Sequence, residues 1–273
     1  LTWSASLNVT AVSDGGAVFI TAGHTDVVGN NATQATTTPV KDTANPTVTI
    51  TSSPVISNAN STAYPVSGAC SENTRTVTVS VGGVTATPSC TALAWSTSLN
   101  VTAVSDGGAV AITADHTDVA GNNATQATTT VVKDTGNPTV TILSSPAISN
   151  ANRTAYPVSG ACSENTRIVT VSVGGVTATP TCTALAWSAS LNVTTVVDGA
   201  SVAVTANHTD AVGNSATQAS TTVIKDTTNP TVTITSSPVI NNANDNAYIV
   251  SGACSDNTRT ATVSVLGLAS PPP

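Results

Sequence analysis

The 273-residue sequence predicts an all-β protein made of tandem seven-stranded sandwiches, and three observations support this. The chain repeats itself at a fixed spacing that suits one small β-domain per copy. Threonine and valine are abundant, and both favour the half-buried surface of a sheet. Apolar residues alternate with polar ones in short segments, and no long segment has the apolar spacing of a helix.

The repeat is 92 residues long, and three sets of residues mark it. A tryptophan, a cysteine and a proline each return at this spacing: Trp3, Trp95 and Trp187; Cys70, Cys162 and Cys254; Pro46, Pro138 and Pro230. One copy is large enough to bury a modest core of its own.

Seven short strands are predicted within the copy that spans residues 43–134. Val77, Val79 and Val81 alternate with polar residues and would share one buried face. Gly82-Gly83 follows them and indicates a two-residue hairpin. The strands are separated by turns every 8–12 residues or so, which is typical of an immunoglobulin-like sandwich. They are expected at residues 47–51, 64–70, 75–81, 84–90, 94–101, 109–117 and 124–132.

The repeat divides the chain into four parts joined by Asp-Thr-x-Asn-Pro linkers. Residues 43–134 and 135–226 are each predicted to form a complete immunoglobulin-like domain. Residues 1–42 match the C-terminal half of such a domain, and residues 227–273 match the N-terminal half. Two interpretations stay open. The chain is a window from a longer array, or the half-domain of one molecule completes that of the next.

Five cysteines fall at two repeated positions. Cys70 and Cys90 have the same spacing as Cys162 and Cys182, whereas Cys254 has no second cysteine after it. We expect a disulfide in each of the two complete copies, because no Cys-x-x-Cys pair or neighbouring histidine indicates a zinc site. Repeated disulfides place the chain outside a reducing cytosol.

Composition and motifs exclude several classes of function. The net charge of −7 argues against nucleic-acid binding, which needs a basic surface. No apolar run is long enough for a membrane span. His-Thr-Asp recurs at His24, His116 and His208, but no Gly-x-Ser-x-Gly motif accompanies it. We therefore expect no enzyme, and we expect these histidines at the surface of strand ends or at domain junctions.

Twelve of the fourteen acidic residues fall at four repeated positions, all in turns or linkers. In a seven-stranded sandwich these turns lie near the linker, so the carboxylates of one junction are expected to converge between domains. Hard oxygen ligands in a loose arrangement suit calcium. The alternative is that aspartate is simply a good turn former. The predicted metal ligands are Asp14, Asp106 and Asp198; Asp42, Asp134 and Asp226; Glu72, Glu164 and Asp256; and Asp118 and Asp210, with Asp26 at the same position as these two.

The motifs carry a resemblance that covers essentially the whole chain. The run that begins at Asp118 with Asp-Val-Ala-Gly-Asn-Asn-Ala-Thr, the linker that begins at Asp134, and Val-Ser-Gly-Ala-Cys-Ser-Glu from Val158 resemble the bacterial Ig-like repeats of giant surface adhesins and biofilm-associated proteins. The resemblance implies tandem domains on a bacterial cell surface, often with calcium between them. It does not identify a ligand.

We therefore predict a structural role, as the stalk or fibre of an extracellular adhesin. Its partners would be copies of itself or neighbouring repeats, end to end, and a cell-surface glycan or protein. One alternative is a subunit of an extracellular filament assembled by complementation of half-domains. Another is a glycan- or protein-binding module, although near-identical repeats favour the stalk.

Overall fold

The computed structural model describes residues 1–266 and 268–269. Gly267 and residues 270–273, part of the predicted segment 227–273, lie outside the described residues. The chain forms two compact units. Unit 1 comprises Leu1–Asn137 with Asp210–Asn214, and unit 2 comprises Pro138–Thr209 with Ser215–Pro273. No helix occurs among the described residues, and the all-β prediction is confirmed.

Unit 1 contains three antiparallel sheets. Strands β1 and β2 form one pair, β3 and β6 form another, and the third sheet has the order β5-β4-β7-β8. The bounds are β1 Ile20–Ala22, β2 Ala35–Thr37, β3 Tyr64–Ala69, β4 Val77–Val81, β5 Val84–Ala86, β6 Ala94–Leu99, β7 Gly107–His116 and β8 Ala127–Lys133.

Alternation along the strands builds the core of unit 1. The three valines of β4, at 77, 79 and 81, are fully buried, while Thr78 between them is exposed. Trp95 on β6 packs in the same cluster, which spans residues 48–131. The cluster takes side chains from the β3-β6 pair and from the four-stranded sheet. The indole Nε1 of Trp95 donates a hydrogen bond of 3.1 Å to the carbonyl of Thr49, so its polar atom is satisfied inside the core.

The count of seven strands is not confirmed. Six strands, β3 to β8, lie between residues 43 and 134. The segment 47–51, predicted as the first strand, forms no strand. It meets β3 through an isolated bridge of Val48 with Cys70 and through backbone N–H groups of Thr49 and Thr51, which donate to the carbonyls of Ala69 and Ser67. The Gly82-Gly83 hairpin is present: both glycines have positive φ, 56° and 90°, and Val81 pairs with Val84.

Unit 2 repeats this arrangement around a second core, within residues 140–223. Its sheets are β12 with β9, the four-stranded β11-β10-β13-β14, β15 with β16, and β17 with β18. The bounds are β9 Tyr156–Ala161, β10 Val169–Val173, β11 Val176–Ala178, β12 Ala186–Leu191, β13 Gly199–His208, β14 Ala219–Lys225, β15 Val232–Ser236, β16 Ser251–Cys254, β17 Ser264–Val265 and β18 Leu268–Ala269. The four domain boundaries drawn from the repeat stay a prediction.

Both expected disulfides are present. Cys70 bonds to Cys90, and Cys162 bonds to Cys182, each across a sequence separation of 20 residues. All four cysteines are buried within their cores. Cys254 is a free, exposed thiol. In the chain-entropy model, closing loops of this length stabilises each core by about 3 kcal/mol.

Candidate metal centre

Three carboxylates from separate parts of the sequence come together in unit 1. Asp42 lies in the chain before β3, Glu72 lies in the turn after β3, and Asp118 follows directly after β7. Each offers a carboxylate oxygen, and these oxygens lie within 4.8 Å of one another. Asp118 is fully buried, and the other two are half-buried.

A tight turn fixes the Asp118 carboxylate in place. Its Oδ1 accepts the backbone N–H of Asn122, and its Oδ2 accepts the Nδ2 of the same residue, both at 2.7 Å. The backbone N–H of Asp118 in turn donates to the Asn122 carbonyl at 3.1 Å. Gly121 supplies the positive φ of 94° that closes this turn. The sequence therefore orients the carboxylate before any ligand is bound.

The same turn keeps Asp118 ionised. Burial raises the pKa of its carboxyl, but hydrogen bonds from the Asn122 side chain and from the backbone of Asn122, Gly121 and Ala120 outweigh burial, and the pKa lies below its usual value of 3.8. A buried carboxylate that is ionised at neutral pH favours a cation nearby.

Asn122 also connects the turn to the linker. Its Nδ2 donates to the backbone carbonyl of Asp42 at 3.2 Å. The Oδ1 of Asp42 accepts the backbone N–H of Ala44 at 3.0 Å, which holds that side chain against its own chain. Asn122 therefore contacts both aspartates and joins the turn to the linker.

Arg75 is a residue of this site that sequence reasoning missed. Its Nη2 donates to the carbonyl of Asp118 at 3.0 Å and its Nε donates to the carbonyl of Thr117 at 3.3 Å. The guanidinium thus anchors the backbone of the turn through carbonyl groups. An arginine at the same position of every copy (Arg75, Arg167 and Arg259) was the signal that could have identified it.

The donor set fits a hard metal ion. Calcium binds oxygen ligands at about 2.3–2.6 Å, so two ligands on opposite sides of one ion lie about 5 Å apart. The spread of the three carboxylate oxygens, within 4.8 Å, is compatible with one ion between them. The group contains neither cysteine nor histidine, which makes a site typical of zinc a poor match.

The first predicted position, at Asp14, Asp106 and Asp198, does not join such a group in the described residues. Each aspartate instead pairs with a lysine: Lys41, Lys133 and Lys225, at N–O distances of 3.0, 2.6 and 2.6 Å. Lys133 is buried, and its ammonium needs this partner. The junction of unit 1 therefore brings together three carboxylates where four were predicted.

The remaining predicted ligands divide between the units. Asp134 and Asp210 lie in unit 1, where Asn214 donates from Nδ2 to the Asp134 carbonyl at 2.9 Å and to the Asp210 Oδ2 at 2.6 Å. Glu164 lies half-buried in unit 2. Asp226 and Asp256, also in unit 2, are exposed, as is Asp26 in unit 1.

Two of the three recurring histidines are not surface residues. His24 is exposed, but His116 and His208, at the ends of β7 and β13, are almost fully buried. The Nδ1 of His116 donates to the carbonyl of Thr76, and that of His208 donates to the carbonyl of Ile168, each at 3.1 Å. The expectation of a surface position is wrong for these two, because the alternation along each strand places them on its buried face.

The chain is similar to known proteins in structure alone. No family model and no curated protein matches the chain. It is similar to a structure of a 1.5-MDa bacterial ice-binding adhesin, at 22% identity and a TM-score of 0.41, covering 76% of this chain and 73% of that one. It is also similar to a tetra-tandem repeat from the extending region of a large adhesion protein, at 22% identity and a TM-score of 0.34, covering 84% of this chain and 62% of that one.

A third similar structure contains fibronectin(III)-like modules of Clostridium thermocellum CbhA, at 14% identity and a TM-score of 0.42, covering 65% of this chain and 94% of that one. A bacterial adhesin and a repeat of a large adhesion protein are thus among the structures to which the chain is similar. In the described part of the chain, no helix has the length and apolar character needed to cross a membrane.

Proposed function

We propose that the chain is a structural repeat segment of an extracellular bacterial surface protein, part of a stalk or fibre, without catalytic activity of its own. The observation that carries this proposal is the repetition of one core. The buried positions of 48–131 return one by one within 140–223, and only Ile112, replaced by Val204, changes its residue. Duplicated domains with the same interior suit a spacer, because a recognition domain is expected to diverge from its neighbours.

The two disulfides support an extracellular location. Cys70–Cys90 and Cys162–Cys182 are buried within the cores. Such bonds persist in oxidising compartments and are reduced in most cytosols. They also stabilise small aliphatic cores that contain a single tryptophan each.

Calcium at the junctions is the second part of the proposal. Asp42 belongs to the linker, whereas Glu72 and Asp118 belong to turns of the sandwich, and an ion held by all three would fix the linker against the turns. The surroundings of Asp118 support this, because the Asn122 turn keeps that carboxylate ionised and oriented. The repeat carries the same residue types at Asp134, Glu164 and Asp210, and the proposal extends to them through the sequence.

Small-angle X-ray scattering tests the stiffening. The chain is measured in calcium and in a chelator, with the data extrapolated to zero concentration. Calcium is expected to increase the maximum dimension and to narrow the distribution of interatomic distances, since a fixed linker removes bent conformations. The matched control is magnesium at the same concentration, because magnesium demands a tighter octahedral geometry. Identical scattering in calcium and chelator would contradict the stiffening.

A further inference from the structure

The acceptor motif for N-linked sugars, Asn-x-Thr with any residue except proline in the middle, occurs eight times in this chain. Glycosylation at this motif takes place on exposed segments of secreted proteins, because the sugar is bulky and polar. A chain rich in asparagine and threonine also contains the motif by chance. The eight copies differ in exposure and in the hydrogen bonds of the asparagine side chain, and these differences separate them.

Asn100 is presented by a turn that follows β6 directly. Its side chain is exposed, and its Oδ1 accepts hydrogen bonds from the backbone N–H and the hydroxyl of Thr102, at 3.1 and 2.7 Å. The two side chains that define the motif therefore stand together at the surface. The Nδ2 of Asn100, which is the atom that accepts a sugar, makes no hydrogen bond within the described residues.

The middle residue of this motif fixes the turn to the core. Val101 is fully buried, and its backbone N–H donates to the carbonyl of Ser61 at 2.8 Å. Its own carbonyl accepts the N–H of Val104 at 3.1 Å. Because Val101 is held on both sides, Asn100 and Thr102 are kept exposed on either side of it.

Asn192 repeats this geometry in the second complete copy. Its Oδ1 accepts from the N–H and the hydroxyl of Thr194, at 3.2 and 2.8 Å, and Val193 between them is fully buried. Asn8 accepts from Thr10 in the same way, at 3.0 and 2.8 Å. Both asparagines are exposed, and neither Nδ2 makes a hydrogen bond in the described part of the chain.

Asn60 also belongs to an acceptor motif, but its side chain is fully engaged in a turn. Its Nδ2 donates to the carbonyl of Val55 at 2.9 Å, and its Oδ1 accepts the N–H of Ser57 at 2.8 Å. Asn152 makes the same two bonds, at 3.0 and 2.8 Å. Both asparagines are half-buried. A sugar on either would displace the Nδ2 from the carbonyl that it holds.

The three remaining copies are bound by side chains outside their own motif. The Oδ1 of Asn31, Asn123 and Asn207 accepts from Thr25, Thr117 and Gln218, respectively. Asn207 also lies within β13, in a paired strand. None of the three is held by the threonine of its motif among the described residues, so none presents the two side chains together.

We propose that Asn100 and Asn192, together with Asn8, accept an N-linked sugar, and that the fold withholds Asn60 and Asn152. The co-substrate is a sugar joined through its anomeric carbon to a diphosphate, brought by a glycosyltransferase. The Nδ2 forms a bond to the anomeric carbon as the bond from that carbon to the diphosphate oxygen breaks. One Nδ2 proton passes to a base of the enzyme, and the diphosphate leaves. The proposal depends neither on the stalk function nor on calcium.

Sugar transfer to the folded chain, with its disulfides intact, tests this proposal. The probe is UDP-glucose with a soluble glycosyltransferase specific for Asn-x-Thr, and the modified asparagines are mapped by mass spectrometry of peptides. Hexose is expected on Asn8, Asn100 and Asn192 at a level at least about tenfold higher than on Asn60 and Asn152, because two hydrogen bonds hold each of the latter. In the denatured, reduced and alkylated chain this difference is expected to disappear.

Thr102→Val removes the hydroxyl of one motif and nearly keeps its size. Modification of Asn100 is expected to fall at least about tenfold, while Asn192 in the same molecule serves as the matched control and stays modified. Thr102→Ser keeps the hydroxyl and should retain the modification. The thermal midpoint of both variants should stay close to that of the unsubstituted chain, since Thr102 is exposed.

Four results would each overturn the proposal. The first is a folded chain without hexose on Asn100 and Asn192, and the second is equal modification of Asn60 and Asn152. The third is a difference between these two groups that persists in the denatured chain. The fourth is a Thr102→Val chain in which Asn100 is modified as before.

Discussion

Two kinds of aspartate occupy the turns of this protein, and their partners separate them. Asp106 and Asp198 pair with buried lysines, so their charge is neutralised locally. Asp118 is held by an asparagine turn and keeps its negative charge beside two other carboxylates. The first kind balances the charge of a buried lysine, while the second kind is available to a cation.

The lysine pairs predict an acid-sensitive stability. The Lys225 hydrogen bond, followed by the Thr227 backbone N–H, lowers the pKa of Asp198 from 3.8 to about 2. Because this pKa is lower in the folded than in the unfolded chain, the contribution to stability is complete above about pH 4 and is lost as the pH falls towards 2. The thermal midpoint should therefore fall over this window, and less steeply in Asp198→Asn.

Asp115→Asn is the control for this pH series. Asp115 accepts from Gln126, and the repeat itself places Asn207 at this position, where it accepts from Gln218 at 3.1 Å. The substitution should therefore be tolerated, and because it leaves the Asp198–Lys225 pair intact, the contribution of that pair to the pH dependence of the thermal midpoint should remain. Equal slopes for Asp198→Asn and the unsubstituted chain would show that this ion pair does not cause the acid sensitivity.

The sequence shows that the acidic positions repeat. It does not show that some of these residues pair with lysines while others lie beside further carboxylates. The sequence could not reveal that Lys133 is buried, or that its ammonium would hold Asp106 at 2.6 Å. Nor could it show that His116 turns into the core. Both facts depend on which face of β7 and β8 packs inward, and that is decided only when the sheets meet.

At the scale of the strands, each core contains a glycine against which a backbone carbonyl and a tryptophan ring pack closely. Gly68 on β3 lies against the backbone carbonyl of Thr49 and beneath Trp95 of the paired strand β6. A Cβ at Gly68 would also lie 2.7 Å from Trp95 Cε2, well inside contact distance. Glycine is needed here because a ring and a backbone pass closely over the same strand.

Gly68→Ala is predicted to destabilise the first core by about 3 kcal/mol, because both neighbours must move and the Trp95 hydrogen bond to Thr49 is strained. In scanning calorimetry, the unfolding transition of the first core should occur at a lower temperature than in the unsubstituted chain. Gly108→Ala is the control, since nothing lies within 4 Å of a Cβ there. Equal midpoints for the two variants would exclude the close approach as the reason for glycine at position 68.

Strand positions were well predicted because their signals are local. The alternation of Val77, Val79 and Val81 and the Gly82-Gly83 turn located β4 and β5. The segment 47–51 alternates equally well, yet it forms no strand and meets β3 through one isolated bridge and two backbone hydrogen bonds. Its pairing depends on how a proline-flanked edge segment meets β3, and alternation within the segment carries no information on that.

For the whole molecule, repetition is the organising property. Copies of one sequence give two cores whose buried residues differ only at Ile112 and Val204. The candidate metal centre depends on the fold in another way. Asp42, Glu72 and Asp118 are far apart in sequence, and only the sandwich topology brings them within 4.8 Å. The repeated acidic residues in the sequence could predict a group of carboxylates, but they could not predict which three carboxylates would meet.

Calcium titration by calorimetry tests whether the carboxylate groups of the repeat bind calcium. Glu72 has no hydrogen-bond partner among the described residues, so Glu72→Gln, combined with Glu164→Gln, removes charge without disturbing the turns. Heat of calcium binding is expected in the unsubstituted chain and in Asp115→Asn, with an affinity about tenfold weaker in the double variant. No calcium uptake by the unsubstituted chain, or equal affinity in the double variant, would contradict this expectation.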